Sequence, residues 1–230
     1  MSDHWAEMHE PYRLAPVIDM FERVTPAERE IILARRSAPR GQTDLGIDAL
    51  RWIGMTDKRD AIRIYARLGL HPIAVHGITP GGECTCNRVV CETPGKHPIY
   101  KGWESASLDI ERLDRQLIAN PLWNIGLRQG LQPNGDVLVT IDIDGDRSLL
   151  DPLEAELGPL PPTLTARSGS GGWHMIYRVP AGRRPPRNKV KLSEHVDVRG
   201  EGGQIVAAPS RHLSGGVYRW VDVRAPEVLP

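Results

Sequence analysis

No apolar run in this 230-residue chain approaches the roughly 20 residues that a membrane-spanning helix needs, which excludes a helical membrane protein and a membrane partner. The N-terminus, MSDHWAEMHE, lacks the basic and then apolar order of a secretory signal, so the chain reads as cytoplasmic. There is no net charge either. Lys plus Arg and Asp plus Glu both number 29, so the overall balance does not point to nucleic acid. Cysteine is scarce, and its odd count of 3 argues against a disulfide framework. Internal repeats and low-complexity tracts are absent. What is present, 40% hydrophobic and 25% charged residues, is the composition of a globular protein with room for one large domain, or for a domain with an appendage.

The neutral total hides an uneven distribution. Between Asp142 and Glu156 six carboxylates face one cation, Arg147. From Arg167 to Lys191 there are seven basic residues and no acid. A cation-attracting stretch followed by a phosphate-attracting one suits an enzyme acting on polyphosphates, although two solvated surfaces would give the same pattern.

Residues 1–55 read as a helical extension. Thr25, Pro26 and Glu28 form an N-cap, a first-turn proline and a capping-box acid, predicting a helix over 25–36. A linker follows at 37–46 and a short helix at 47–52. Asp57 then caps a helix carrying Ala61, Ile62, Tyr65 and Leu68 on one face and stopping at Gly69, where the main domain, 56–230, begins. Beyond it, strands are predicted at 71–76, 124–128, 136–142, 173–179, 203–208 and 216–220, with helices near 108–118 and 147–156. Strands outnumber helices in the second half, which predicts an α+β fold with largely antiparallel pairing.

Four constellations carry chemistry. In VLVTIDIDGD, strand alternation sets Val137, Val139, Ile141 and Ile143 on one face and Leu138, Thr140, Asp142 and Asp144 on the other. Two carboxylates on one face can grip hard divalent cations such as Mg²⁺, but acids before a glycine also make ordinary turns, and Asp146 is read as one. An EF-hand is excluded because Arg147 and Leu153 stand where it needs glycine and glutamate. In ARSGSGGWH, Gly171 and Gly172 with Ser168, Ser170 and His174 form a loop able to offer donors to a triphosphate; no Walker motif follows it, and a plain hairpin is the duller alternative. In HVDVRGEGG, alternation puts His195, Asp197 and Arg199 together, either completing a cation and phosphate site or forming a surface ion pair. Finally, CTCNRVVCETPGKH holds Cys84, Cys86, Cys91 and His97, a donor set that fills a tetrahedral Zn²⁺ shell with no open position, with His76 in reserve.

Together these motifs, with NIGLRQG and APSRH between and after them, resemble the primase-polymerase domain of the archaeo-eukaryotic primase superfamily over about residues 60–221, as found in plasmid and phage replication proteins. The resemblance implies an α/β module joined to an RRM-like catalytic sheet, and a template-directed nucleotidyltransferase using two divalent ions, Mg²⁺ or Mn²⁺. It places the metal-binding acids at Asp142, Asp144 and Asp197 and the nucleotide-binding histidine at His174, beside Ser170, Gly171 and Gly172. By the same resemblance Arg199 would face the incoming triphosphate, and the zinc loop is matched to 84–97. Its implied partners are a single-stranded DNA template, a primer 3′ end and dNTPs or NTPs. The basic run 178–191 is a candidate template track, and with the chain ending at VRAPEVLP the expectation is either that it acts alone or that helicase and primer-initiation functions sit on a separate partner. The rival expectations are a nucleotide-sugar transferase built on Asp-x-Asp, and an inactive single-stranded DNA-binding module.

Overall fold

The computed structural model describes residues 56–180, 182–188 and 190–229. The extension 1–55 and its two expected helices lie outside the described residues. Asp57 starts α1 (Lys58–Arg67) by accepting a hydrogen bond from Arg59 N at 2.7 Å. Ala61, Ile62 and Tyr65 are its fully buried face, and Gly69 ends it at φ +75°, a conformation that a side chain would strain. The second helix, α2 (Ile110–Ala119), is capped by Asp109 and bound to the first through Asp114, which takes Arg59 at 2.7 Å and Arg63 at 2.9 Å. After a 3-10 turn at Arg147–Leu150, α3 (Asp151–Leu157) carries Pro152 in its first turn. A proline there has no N–H to give to the preceding turn, so the single helix expected over 147–156 divides.

The strands are β1 (Pro72–Val75), β2 (Asn124–Arg128), β3 (Gly130–Leu131), β4 (Val137–Ile143), β5 (Leu164–Arg167) and β6 (Trp173–Arg178). They continue as β7 (Val190–Ser193), β8 (Val196–Arg199), β9 (Gln204–Val206), β10 (Arg219–Asp222) and β11 (Glu227–Val228). A small sheet has the order β1-β2-β9, and a large one β10-β5-β6-β4-β8-β7, with β3 beside β4 and β11 beside β6. Every pairing is antiparallel except β11 with β6. Among the strands that the sequence pattern did not predict, β3 and β11 are two residues each and β5 and β7 four, and β7 begins in the basic run. The last expected strand starts at 219 rather than 216, because Arg211 pairs with Val217 to close a turn first.

The large sheet is buried on both faces. One face, with Leu138, Leu164, Ala166, Ile176, Tyr218 and Trp220, packs on the small sheet and the first two helices. The other, with Val139, Ile141, Ile143, Met175, Tyr177, Val196 and Val198, packs on Leu150 and Leu153 of the 3-10 turn and α3. The alternation predicted for β4 therefore holds, and it puts Thr140 and Asp142 on the face turned toward the small sheet. There Thr140 donates to Gln129 at 2.8 Å, tying the centre of β4 to the segment after β2. No helix among the described residues is long and apolar enough to cross a membrane.

Candidate active site

Three strands of the large sheet deliver one row of polar side chains. Asp142 on β4 is the register partner of His174 on β6 and, on its other side, of Asp197 on β8. Directly opposed residues on neighbouring strands have Cβ atoms roughly 4.5–5.5 Å apart, so their side chains touch. His174 Nε2 stands 3.4 Å from Asp142 Oδ1. Arg199 donates from Nε to Asp142 Oδ2 at 2.9 Å, and its Nη2 lies 2.8 Å from the same oxygen and 3.0 Å from Asp197 Oδ2. One guanidinium thus links the two aspartates, neutralising a like-charge pair held side by side. Burial would raise the Asp142 carboxyl, but the hydrogen bond and charge of His174, then Arg199, outweigh it and hold the group down at about 2.

Asp144 sits one residue past the end of β4 and is exposed, its N–H donating to His195 O at 2.8 Å across the turn between β7 and β8. Val196 and Val198 point into the second core, so Asp197 and Arg199 share the opposite face as alternation predicts, whereas His195 belongs to the turn. Asp146 is a turn residue as read, accepting from Ser148 N at 3.0 Å. The sequence does not single out Tyr218, yet its ring lies 5.8 Å from that of His174. Burial, and then the carboxylates of Asp142 and Asp144, push its phenol well above the ordinary range, so both acids act on the side where Tyr218 lies. The available signal was its alternation with inward-facing Trp220.

The loop between β5 and β6 brings its glycines together for packing. A Cβ on Gly172 would lie 2.4 Å from Ile143 O, and Gly171 has φ +97°. Ser168 Oγ accepts from Gly172 N at 2.8 Å and meets Ser170 Oγ at 3.0 Å, so its hydroxyl shapes the turn. Arg167 stacks over Trp173 with its guanidinium carbon 4.2 Å from the ring. The loop's last residue, Gly172, therefore lies against the end of β4, beside the acids.

Cys84, Cys86, Cys91 and His97 form a second, separate cluster in which all four ligand atoms lie within 4.8 Å of one another. His97 Nε2 is 3.5 Å from both Cys84 Sγ and Cys91 Sγ, and Gly95 N–H points at Cys84 Sγ at 3.4 Å. Three thiols and an imidazole so gathered fit a thiophilic metal such as zinc. The Arg88 N–H holds the Cys86 thiol below its ordinary range, and burial lowers the His97 imidazole, leaving it the neutral form a metal needs. His76, the reserve ligand, stacks on His97 with ring centroids 4.4 Å apart but is outside the cluster, its Nδ1 being 3.1 Å from Thr85 Oγ1. The three aspartates are not among such close groups: they are hard oxygen donors set apart on strand and turn, with Arg199 between two of them.

Beside β8, the basic segment is anchored by the loop that follows Arg199. Glu201 N donates to Pro186 O at 2.8 Å and Asn188 N to Glu201 O at 3.1 Å. Gly200 and Gly203 allow this approach, since a Cβ on either would lie 2.0 Å from Pro186 O or 2.3 Å from Asn188 Oδ1. Arg184, Arg187 and Lys191 are exposed, while Arg178 is held by Pro226 O at 2.9 Å and by Asp136.

The family described as bifunctional DNA primase/polymerase, N-terminal, has a model that matches residues 61–230. The match spans every helix and strand of the fold except the start of α1, and so includes the acid row, the Gly-rich loop and the Cys/His cluster. No curated protein matches the chain.

Proposed function

The chain belongs to the bifunctional DNA primase/polymerase family, and on that premise we propose that it is a template-directed nucleotidyltransferase, extending a 3′-hydroxyl in plasmid or phage DNA replication. The observation that carries this reading is the row His174, Asp142, Asp197 across β6, β4 and β8, closed by Arg199. The large sheet is then the RRM-like catalytic sheet of the family's fold.

The donor chemistry supports a hard-cation site: Asp142, Asp144 and Asp197 would hold two Mg²⁺ or Mn²⁺ ions, and the Cys/His cluster would hold a structural Zn²⁺. When bound, the divalent ions supply the positive charge that acidifies a 3′-hydroxyl and balances a departing pyrophosphate. The rest falls to the chain's own groups. Asp142, held ionised far below neutral pH, is a ready oxygen donor. Arg199 keeps Asp142 and Asp197 from repelling one another, and its guanidinium lies where a triphosphate would meet the acids. His174, 7% exposed and anchored in β6, has an Nδ1 with no hydrogen-bond partner, a polar atom available to a phosphate oxygen. The N–H groups of Gly171 and Gly172 are given to Ser168 O and Oγ, which fixes beside Ser170 a tight turn for a triphosphate to lie against. Lys191, the register partner of Asp197, and the exposed Arg184 and Arg187 suit the backbone of a single-stranded template without reading its sequence.

The test is incorporation of labelled dNTPs on a single-stranded template, with and without a primer, comparing the wild type with Asp142→Ala/Asp144→Ala. The expected outcome is incorporation by the wild type and none by the variant, with zinc content equal in both. Wild-type protein that binds template but never incorporates a nucleotide would defeat the reading in favour of a binding module.

A further inference from the structure

Arg219, at the start of β10, is the register partner of Arg167 at the end of β5, and Arg167 is in turn the partner of Trp173 on β6. Register partners share a face of the sheet, so the two arginines rise side by side from neighbouring strands. Like charges directly opposed in this way cost stability unless something offsets them. Among the described residues neither arginine makes an ion pair. The bonds from Ser148, and last the charge of Arg167, hold the Asp146 carboxyl below its ordinary range, yet that carboxylate accepts from Ser148 N at 3.0 Å and pairs with neither arginine.

Arg167 is fixed in place. Its guanidinium carbon lies 4.2 Å from the centre of the Trp173 ring, and its Nη2 would be 3.7 Å from a Cβ on Gly171. Trp173 packs against the second core, so the cation rests on a firm support and loses little freedom on binding an anion. Arg219 is exposed on β10, the edge strand at the opposite side of the sheet from β7.

The pair is separate from the nucleotide pocket. Successive strand residues point to opposite faces, so Trp173 and His174 lie back to back, and so do Arg219 and the inward-facing Trp220. Arg167 and Arg219 therefore stand on the face turned away from His174 and Asp142. They stand at the same end of the sheet as the acids, however, because Arg167 is aligned with Trp173, and Trp173 with Ile143, the residue before Asp144. A strand of DNA that passes the acid row and crosses this end of the sheet meets the two arginines on the other side.

We propose that Arg167 and Arg219 form a second contact for single-stranded DNA, holding the phosphate backbone of the template beyond the acid row. Phosphates supply the negative charge that the opposed guanidinium groups lack, and the contact is indifferent to base sequence. This rests on the reading of the chain as a nucleotidyltransferase that follows a DNA template.

The experiment is fluorescence anisotropy of labelled oligo(dT) titrated with the full chain over a range of salt, with a chelator present and no nucleotide. Arg167→Gln and Arg219→Gln are each expected to lower the slope of log affinity against log salt by about 0.7, the share of one phosphate contact on a single strand, and the double variant by about 1.4. At about 0.1 M salt each single substitution weakens binding about fivefold. Arg167→Lys keeps the charge and most of the slope, while Arg67→Gln, which removes an exposed cation from the last turn of α1, leaves the slope at the wild-type value. Melting curves accompany each variant; Arg219→Gln, at an exposed position, decides alone should Arg167→Gln not fold. A wild-type slope in Arg219→Gln overturns the contact and leaves the nucleotidyltransferase reading standing. So does a slope lowered equally by Arg67→Gln, since the arginines then act only through overall charge. Wild-type protein that neither binds the oligonucleotide nor incorporates a nucleotide overturns both.

Discussion

Replacing Asp142 by Asn keeps the shape of the side chain and removes its charge, which isolates what the acid row contributes to the fold. In the folded chain the carboxyl ionises at about 2, against an ordinary value of 3.8. Each pKa unit is worth about 1.4 kcal/mol, so the ionised Asp142 contributes about 2 kcal/mol of stability at neutral pH. The side chain is only 14% exposed, so solvent screens little of this. The folded pKa lies below the unfolded one, so the contribution is complete above the ordinary carboxylate range and is lost as pH falls through the folded value. It is about half gone at pH 3. For a domain of this size Asp142→Asn should lower Tm by about 4–8 °C at pH 7. The assay is calorimetric melting of both proteins from pH 7 down to pH 3 with a chelator present, so that the carboxylate is read without divalent ions. The gap must shrink as the solution is acidified, because the wild type then becomes neutral at this position as well. A gap that is absent at pH 7, or undiminished at pH 3, would refute the balance of burial against His174 and Arg199.

Two further outcomes follow from packing and ligation. Cys91→Ser removes one of the four gathered donors, and elemental analysis should find the bound zinc per chain sharply reduced, with protease cutting in 84–97 faster than in the wild type. Gly172→Ala forces a methyl group to within 2.4 Å of Ile143 O, and it should cost about 1–3 kcal/mol in denaturant melts while raising the KM for dNTP; unchanged stability would mean that the loop is not seated on the end of β4.

Much of the site was legible in the chain because strands convert spacing into direction. The period of two in VLVTIDID and in HVDVR was enough to set Asp142 against a buried strand face and to pair Asp197 with Arg199. Cap chemistry located α1, since Asp57 accepts a bond from its own first turn. The Cys/His set was legible because few other arrangements bring three thiols and an imidazole within so short a stretch. By contrast, β5 and β7 carried too few residues to show a period, and Tyr218 has no motif to mark it.

The sequence by itself determined which residues face which side of each strand, where the helices begin, and which donors cluster locally, because these are decided by neighbours a few positions away. Only the tertiary structure decided that Asp142 stands between His174 and Asp197, that Arg199 bonds to both acids, and that Arg167 and Arg219 meet on adjacent strands. Those contacts depend on strand order and register, which are set by the packing of two cores against opposite faces of one sheet. A pattern of local periods leaves that order open.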